Sequence, residues 1–304
     1  MTEKWLTYLR LIILNIIFAT LLKKAILFCM KKIFAIVCCL FFSFLVQATQ
    51  FGSFINPKSA ALGNSITALT DNLYSSSNQA VFGLSDFPAL NMEYENHFCV
   101  SELSLLNAGF SLPTRWFNVG FSCSFFGFSE YNESSFGLQF SRKLSPYFSL
   151  GAEVDYVSVL FSPQECGSAF LPQIGFLVFP TKNLTIGFHS YNFTLSSIST
   201  VYQHESLPSV FSLGLQYQID QSLLVITEVS KNLVENASFS AGVEYVVVKE
   251  LSLRAGFFAK ETILPSFGLG LHVGNFSFDL GMQYHSTLGV NSSAGVIYSF
   301  LHKK

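Results

Sequence analysis

The histidines are the residues whose chemistry would most readily indicate an enzyme. His189, His272 and His285 fall on the polar face of alternating stretches, and His204 falls in the longest loop. A hydrolase would need one of them beside a serine and an acid, and no spacing singles out such a triad. The glycines of 268–274 have the wrong spacing for a nucleotide loop, and Gly-x-Ser-x-Gly, HExxH and P-loop motifs are absent. The sequence predicts a protein that is not an enzyme and has no cofactor and no metal site.

Acidic side chains are the second chemical feature. Seven of them share the polar face of the alternating stretches: Glu93, Glu95, Glu153, Asp155, Glu228, Glu244 and Asp279. Arg254 and Lys260 are the cationic residues on that face. If the face lines a channel, its charge favours cations or a basic peptide, and anionic ligands should bind poorly. A solvated polar surface without a function is the alternative interpretation.

Long alternating segments carry these residues. Of the 304 residues, 50% are hydrophobic and only 12% are charged, and this composition excludes a disordered chain and a nucleic-acid-binding protein. Fourteen segments are predicted as strands, at about 90–98, 104–112, 117–127, 134–143, 147–160, 169–179, 183–193, 209–219, 222–230, 237–248, 251–259, 265–273, 276–285 and 290–300. Most of them have the length of a tilted transmembrane strand, roughly 9–11 residues, and exceed the typical soluble strand.

Short and long connections alternate between these segments. Short ones such as 220–221 and 274–275 would lie at one rim, and longer polar ones, chiefly 194–208, at the other. Outer-membrane barrels have this pattern, with the short turns on the periplasmic side. In lipid the sheet must close, because an open edge leaves backbone polar groups without partners. The sequence predicts an all-β fold, a transmembrane antiparallel β-barrel of about 14 strands over 89–300 in contact with outer-membrane lipid. A secreted β-sandwich is the alternative.

The first 48 residues have the features of an export signal. Residues 30–48 combine a basic start, a short apolar core and small residues at the cut site, so we expect a signal peptide cleaved after Ala48. Residues 1–29 are interpreted as an upstream mis-start extension, with an unusually long basic region as the alternative. The chain is therefore expected in the outer membrane of a Gram-negative-type bacterium. Cys99, Cys123 and Cys166 form no paired set and are expected to be buried as small apolar residues.

Glycine recurs on the polar face. Twelve of the fourteen predicted strands carry one there: Gly109, Gly120, Gly137, Gly151, Gly175, Gly187, Gly214, Gly242, Gly256, Gly268, Gly281 and Gly295. Glycine within a strand marks either a bend or a close backbone approach. The two interpretations are therefore barrel curvature and room for a segment inside the barrel.

The last predicted strand ends in a polar-x-Gly-x-x-aromatic-x-aromatic pattern. Its residues are Ser293, Gly295, Tyr298 and Phe300, and a tail of four residues, 301–304, follows. The pattern resembles the terminal-strand signal read by the barrel-insertion machinery. That machinery is therefore an expected partner.

The segment before the barrel, 49–88, does not alternate and is rich in small residues. It carries an Ala-Leu-Gly-x-x-x-x-Ala-Leu-x-Asp arrangement followed by Asn-x-Ala, formed by Ala61, Leu62, Gly63, Ala68, Leu69, Asp71, Asn78 and Ala80. These residues resemble the N-terminal region of FadL-like outer-membrane proteins, most closely that of PorV/PorQ-type proteins associated with type IX secretion. The resemblance implies fourteen strands and an N-terminal segment that enters the lumen as a plug.

The same resemblance implies one of two functions. The first is a non-enzymatic accessory in protein secretion or surface attachment, whose outward loops would contact secretion-system components or exported cargo proteins. The alternative is a FadL-like outer-membrane channel for small hydrophobic or neutral solutes. A kinked inward strand beside an apolar pocket would favour the channel, and a sealed lumen with ordered loops would favour the accessory. No nucleic-acid partner is expected.

Overall fold

The computed structural model describes residues 55–161, 165–199 and 204–300. The predicted upstream extension, signal peptide and C-terminal tail lie outside these residues. Within them, no helix is both long and apolar enough to cross a membrane.

Fourteen antiparallel strands close into a single barrel, which confirms the predicted fold class. The first half of the chain contributes β1 Ala89–Asn96, β2 Ser104–Pro113, β3 Asn118–Gly127, β4 Tyr131–Ser145, β5 Phe148–Phe161, β6 Glu165–Val178 and β7 Leu184–Tyr191. Two short strands outside the barrel follow, β8 Ser197–Ser199 and β9 His204–Ser206. The second half contributes β10 Val210–Gln218, β11 Leu223–Asn232, β12 Ala237–Val248, β13 Leu251–Ala259, β14 Ile263–Val273, β15 Phe276–His285 and β16 Gly289–Ser299. Closure occurs between β1 and β16, where Leu90 faces Tyr298 in the register.

The alternation places apolar side chains outside and polar side chains inside. Along β15, Phe276, Phe278 and Leu280 are 45–52% exposed, whereas Asp279 is 2% exposed. Transmembrane barrels have such an apolar outer face, which contacts the lipid, and a polar interior. The predicted burial of the three cysteines is wrong, because Cys99, Cys123 and Cys166 are all free and exposed. For Cys123, on β3, the reason is that an apolar position on a barrel faces outward rather than into a core.

The strand pairs are regular along most of their length. Among the described pairs, register shifts occur on β4 between Lys143 and Ser145 and on β12 between Val246 and Val248. Both lie beside a short turn, at 146–147 and 249–250. β3 pairs with β2 and β4 without a shift, so the kinked inward strand that would favour a channel is not seen there.

A small hairpin lies at the longer-loop rim. It consists of β8 Ser197–Ser199 and β9 His204–Ser206. The β6–β7 pairing starts only at Gln173, although β6 continues outward along β5. Pro172, which has no N–H to donate, stands where that pairing stops. The hairpin covers this stretch, and an apolar cluster fills the space beneath it: Val157, Val159, Leu171, Tyr191, Ile198 and Leu207.

Candidate functional site

Residues 55–88 fold into two short helical turns separated by irregular chain. Helix α1, Pro57–Ala61, starts at Asn56, whose side chain accepts a hydrogen bond from the Ser59 amide. The 3₁₀ helix Gln79–Leu84 starts in the same way at Asn78, which accepts from the Ala80 amide. Capping by Asn satisfies amides that an isolated turn leaves without partners. Both helical turns are thus capped by residues of the segment itself.

The inward glycines provide the space for this segment. A Cβ atom added at ten of the twelve would lie within 3.0 Å of an atom of residues 57–80; these are Gly109, Gly151, Gly175, Gly187, Gly214, Gly242, Gly256, Gly268, Gly281 and Gly295. At Gly151 the three nearest atoms, and at Gly256 the two nearest, are backbone atoms of the segment. These ten glycines therefore admit the chain inside the barrel, and residues 55–88 are called the plug below.

Side chains of the wall satisfy the plug's backbone. The Glu228 carboxylate accepts from the amides of Ile66 and Thr67, both at 2.8 Å. The Ser266 hydroxyl accepts from the Gly63 amide at 3.0 Å. A buried amide without a partner costs about 1–3 kcal/mol, so these contacts fix the irregular chain in place.

A charged network joins plug and wall on one side of the lumen. Lys58 of the plug contacts Asp71 at 2.6 Å and Glu244 of β12 at 3.2 Å. Arg254 of β13 lies between Glu244, at 3.3 Å, and Asp279, at 2.5 Å. Burial opposes the charge of the Lys58 ammonium, but Asp71 and Glu244 outweigh it, so the pKa of Lys58 is raised. We call these five residues the charged network.

Tyr74 extends the charged network. Its hydroxyl donates to the Asp279 carboxylate at 2.8 Å. The ring is fully buried and lies against Gly295 of the predicted insertion signal. Tyr298 and Phe300 of the same signal pack together at the rim with ring centroids 5.0 Å apart.

The eight plug-motif residues occupy distinct places. Leu62 and Leu69 pack with Leu224 and Ile226 of β11 in one buried cluster. Ala61, Gly63, Ala68 and Ala80 lie where the plug backbone meets the wall, at Gly268, Gly256, Gly214 and Gly151. Asp71 pairs with Lys58. Asn78, besides capping its turn, donates to the Thr67 carbonyl of the plug and the Phe188 carbonyl of β7.

All seven predicted acidic residues are buried, at 7% exposure or less. The structure brings them into separate groups rather than one acidic surface. Glu244 and Asp279 belong to the charged network, and Glu228 binds the plug amides. Glu93 accepts from the Ser76 hydroxyl at 2.7 Å. Glu95 lies 3.6 Å from the ring of His97.

Glu153 and Asp155 form the remaining group, here called the acidic pair. Both lie on β5 and converge over Gly137 of β4, where an added Cβ would meet an oxygen of each within 3.0 Å. Glu153 accepts from Gln79 at 2.8 Å and from Ser122 at 3.0 Å. Asp155 accepts from Gln173. These donors are neutral, and neither carboxylate has an ion-pair contact within the described part of the chain.

A cavity of about 320 Å³ lies over the acidic pair. It extends from rim residues, among them Glu235 and Lys260, down to the plug at Gln79. Glu235 and Lys260 pair with each other at 2.6 Å, so the lysine predicted to face the acidic residues is held at the rim. The lining is mainly Ser, Asn, Gln and carboxylates, with a few apolar side chains such as Ile66, Val210 and Phe258.

The three histidines predicted on the polar face make separate contacts. His189 contacts the Gln173 amide oxygen at 3.0 Å, and His272 contacts the Ser277 hydroxyl. His285 accepts from amides of its own turn. No group of three His, Cys, Asp or Glu is placed to hold a metal ion in the part of the chain that the structure describes.

Sequence reasoning missed three residues that organise the lumen. Lys58, Gln79 and Tyr191 are each buried and each contact or line the sites described above. Lys58 and Gln79 lie in the segment without a period, so no pattern indicated where they point. Tyr191 lies at the end of β7, where the alternation gives way to the loop. The polar identity of Lys58 and Gln79 in a segment of small residues was the available signal.

The fold and the lumen together define a class: a closed fourteen-stranded β-barrel of the outer-membrane type with an N-terminal plug. Solved barrels share this fold. The Pseudomonas putida toluene transporter TodX matches with a TM-score of 0.61 at 13% identity, over 79% of this chain and 96% of that one. The CymD monoaromatic hydrocarbon channel matches with a TM-score of 0.61 at 12% identity, over 82% and 98%.

A Pseudomonas aeruginosa FadL homologue matches with a TM-score of 0.52 at 14% identity, over 81% of this chain and 97% of that one. No family model matches the sequence. No curated protein matches it either. The FadL-like part of the predicted resemblance agrees with these structures, whereas its PorV/PorQ part finds no support among them.

Proposed function

We propose that this protein is a FadL-like outer-membrane channel for small hydrophobic or neutral solutes, with residues 55–88 as its plug. The observation that carries the proposal is the cavity that leads from the rim of longer loops to the plug. The similar structures named as a toluene transporter and a monoaromatic hydrocarbon channel support a transport role. The buried carboxylates of the lumen disfavour an anionic solute.

Passage would require the plug to shift. Its contacts with the wall include hydrogen bonds, the Lys58–Glu244 ion pair and the small apolar cluster of Leu62 and Leu69, and ten of the wall positions that it meets are glycines. A shift of the plug would have to replace these contacts with others or with water.

Solute uptake by proteoliposomes tests the proposal. The mature protein would be reconstituted, and entry of benzyl alcohol, toluene and benzoate would be followed in the same vesicles. We expect the alcohol or the hydrocarbon to enter faster than in empty vesicles, and benzoate not to. An absence of uptake for every solute, with insertion verified by heat-dependent gel mobility, would contradict a channel.

The alternative is the PorV/PorQ-type accessory of secretion or surface attachment. The observation that favours it is the packed plug together with the ordered β8–β9 hairpin at the longer-loop rim. In that role the loop 194–208 would contact secretion-system components or exported cargo. The uptake experiment separates the two, since an accessory needs no solute passage.

Export and assembly complete the proposal. We infer a signal peptide at 30–48 cleaved after Ala48, residence in the outer membrane, and insertion through recognition of Gly295, Tyr298 and Phe300. We also propose that the protein is not an enzyme. Amino-terminal sequencing of the protein purified from outer membranes checks the cleavage site, and any start other than Thr49 would contradict it.

A further inference from the structure

We propose that the acidic pair, Glu153 and Asp155, binds the ammonium group of a small organic amine that enters the outer cavity. The inference goes beyond the proposed function, since it concerns binding and widens the solutes from hydrophobic or neutral molecules to amines. It does not depend on transport. Binding can be measured on the folded barrel in detergent micelles.

The acidic pair has no cationic partner among the described residues. Two carboxylates, 4% and 5% exposed, converge over Gly137 and receive only the neutral donors Gln79, Ser122 and Gln173. The two carboxyl groups have four oxygens and receive three described donors, so they keep acceptor capacity for a further donor. Buried charge without a counter-charge is costly, and a cation that enters the cavity would relieve that cost.

Two buried polar atoms of residues that line the same cavity also lack partners. Among the described residues, neither the Tyr191 hydroxyl nor the Gln79 amide oxygen has a hydrogen-bond partner, although the two residues are 5% and 1% exposed. Both residues line the same cavity as the acidic pair. Buried polar groups are nearly always satisfied, so two orphans beside one cavity point to a ligand that supplies the missing bonds.

A small organic amine matches the cavity in chemistry and size. An ammonium group has three donors and no acceptor. Glu153, Asp155 and Gln79 line the same cavity, and each of their side chains carries acceptor oxygens. A volume of about 320 Å³ is at the small end of ligand pockets and suits a molecule rather than a protein segment. Ile66, Val210 and Phe258 give an apolar body something to contact.

The test uses three probes with one body and three charges: benzylamine, benzyl alcohol and benzoate. Isothermal titration into the refolded full-length barrel in detergent should give binding of benzylamine at least about tenfold tighter than benzyl alcohol, and no binding of benzoate. Glu153→Gln and Asp155→Asn should each weaken benzylamine about tenfold or more and leave benzyl alcohol unchanged. Glu95→Gln, a buried luminal carboxylate away from this cavity, is the matched control and should bind benzylamine like wild type.

Two further variants keep the test decisive if a charge variant folds poorly. Tyr191→Phe removes only the orphan hydroxyl and should weaken benzylamine by about threefold to tenfold. Gly137→Ala keeps both charges but places a Cβ where their oxygens converge, so it should also lose amine binding. Equal affinity for benzylamine and benzyl alcohol would overturn the proposal. So would unchanged benzylamine binding in the Glu153→Gln, Asp155→Asn double variant, or displacement of the amine by equimolar Mg²⁺.

Discussion

The charged network and the acidic pair are two buried polar regions on different sides of one lumen, and they solve the burial of carboxylates in opposite ways. In the charged network, Lys58 and Arg254 lie among three carboxylates, so nearly every charge has a counter-charge in contact. In the acidic pair, Glu153 and Asp155 share one site with neutral donors only. The charged network is an arrangement that stabilises the fold. The acidic pair is an arrangement that binding sites retain at a cost in stability.

The comparison also separates two roles of the plug. On the network side, the plug supplies a charged residue and the Tyr74 hydroxyl, and it is thereby attached to the wall. On the side of the acidic pair, it supplies Gln79, an amide that donates to Glu153 and leaves its own oxygen free. The charged network therefore attaches the plug through charge, whereas at the acidic pair the plug forms the floor of a cavity.

Arg254→Met should have the largest effect, because it leaves Glu244 and Asp279 buried beside each other without the guanidinium. Removal of one partner from a buried ion pair costs about 3–5 kcal/mol. We expect that loss in the free energy of unfolding, measured by urea denaturation of the refolded barrel followed by circular dichroism. Arg115→Met, in an exposed turn, is the control and should change it by less than about 0.5 kcal/mol. Equal effects would show that the charged network does not hold the barrel together.

Gly256→Ala and Gly137→Ala compare the packing of the two regions. At Gly256 the added Cβ meets backbone atoms of the plug, which cannot move aside. At Gly137 it meets the ends of three side chains, which can. Overpacking costs about 1–3 kcal/mol, and we expect Gly256→Ala to show that loss in urea denaturation and Gly137→Ala a clearly smaller one. The reverse order would mean that the acidic pair is the more rigid region.

The alternation of residues predicted nearly the whole barrel, because a strand with lipid on one side and polar contacts on the other must alternate at period two. The predicted strand 276–285 and the observed β15 coincide, and 209–219 differs from β10 by one residue at each end. The three-residue strands β8 and β9 were not predicted, since so short a stretch shows no period.

The contacts of the plug could not be predicted in the same way. Tyr74 meets Asp279 across 205 positions of sequence, and Ile66 meets Glu228 across 162. A segment without a period has no preferred face, so its pairing with the wall is set by tertiary packing. The inward position of the carboxylates and of Arg254 followed from alternation, but which carboxylates Arg254 and Lys58 contact is set by tertiary packing, and the position of Lys58 is a property of the plug.

Lys58→Met tests whether the plug is attached through charge. Glu244 keeps Arg254, and Asp71 is 58% exposed and can be hydrated, so the loss should be smaller than for Arg254→Met, about 1–2 kcal/mol. We expect the same variant to raise protease cleavage within residues 55–88 of the folded barrel. Asp71→Asn is the matched control and should cost less than about 1 kcal/mol, because its side chain is half exposed. Unchanged cleavage in Lys58→Met would assign plug attachment to hydrogen bonds alone.

Asp155→Asn should have the smallest effect and the opposite sign. It removes one of two like charges while keeping an acceptor for Gln173, so the barrel should gain about 0.5–1 kcal/mol against urea. Asp279→Asn, the isosteric change in the charged network, should instead lose stability, since Arg254 then keeps only Glu244. If both variants lose stability alike, the acidic pair is neutralised within the folded protein and the difference between the two regions disappears. If the signs differ, the charge at Glu153 and Asp155 is kept at the expense of stability, as a site that binds a cation requires.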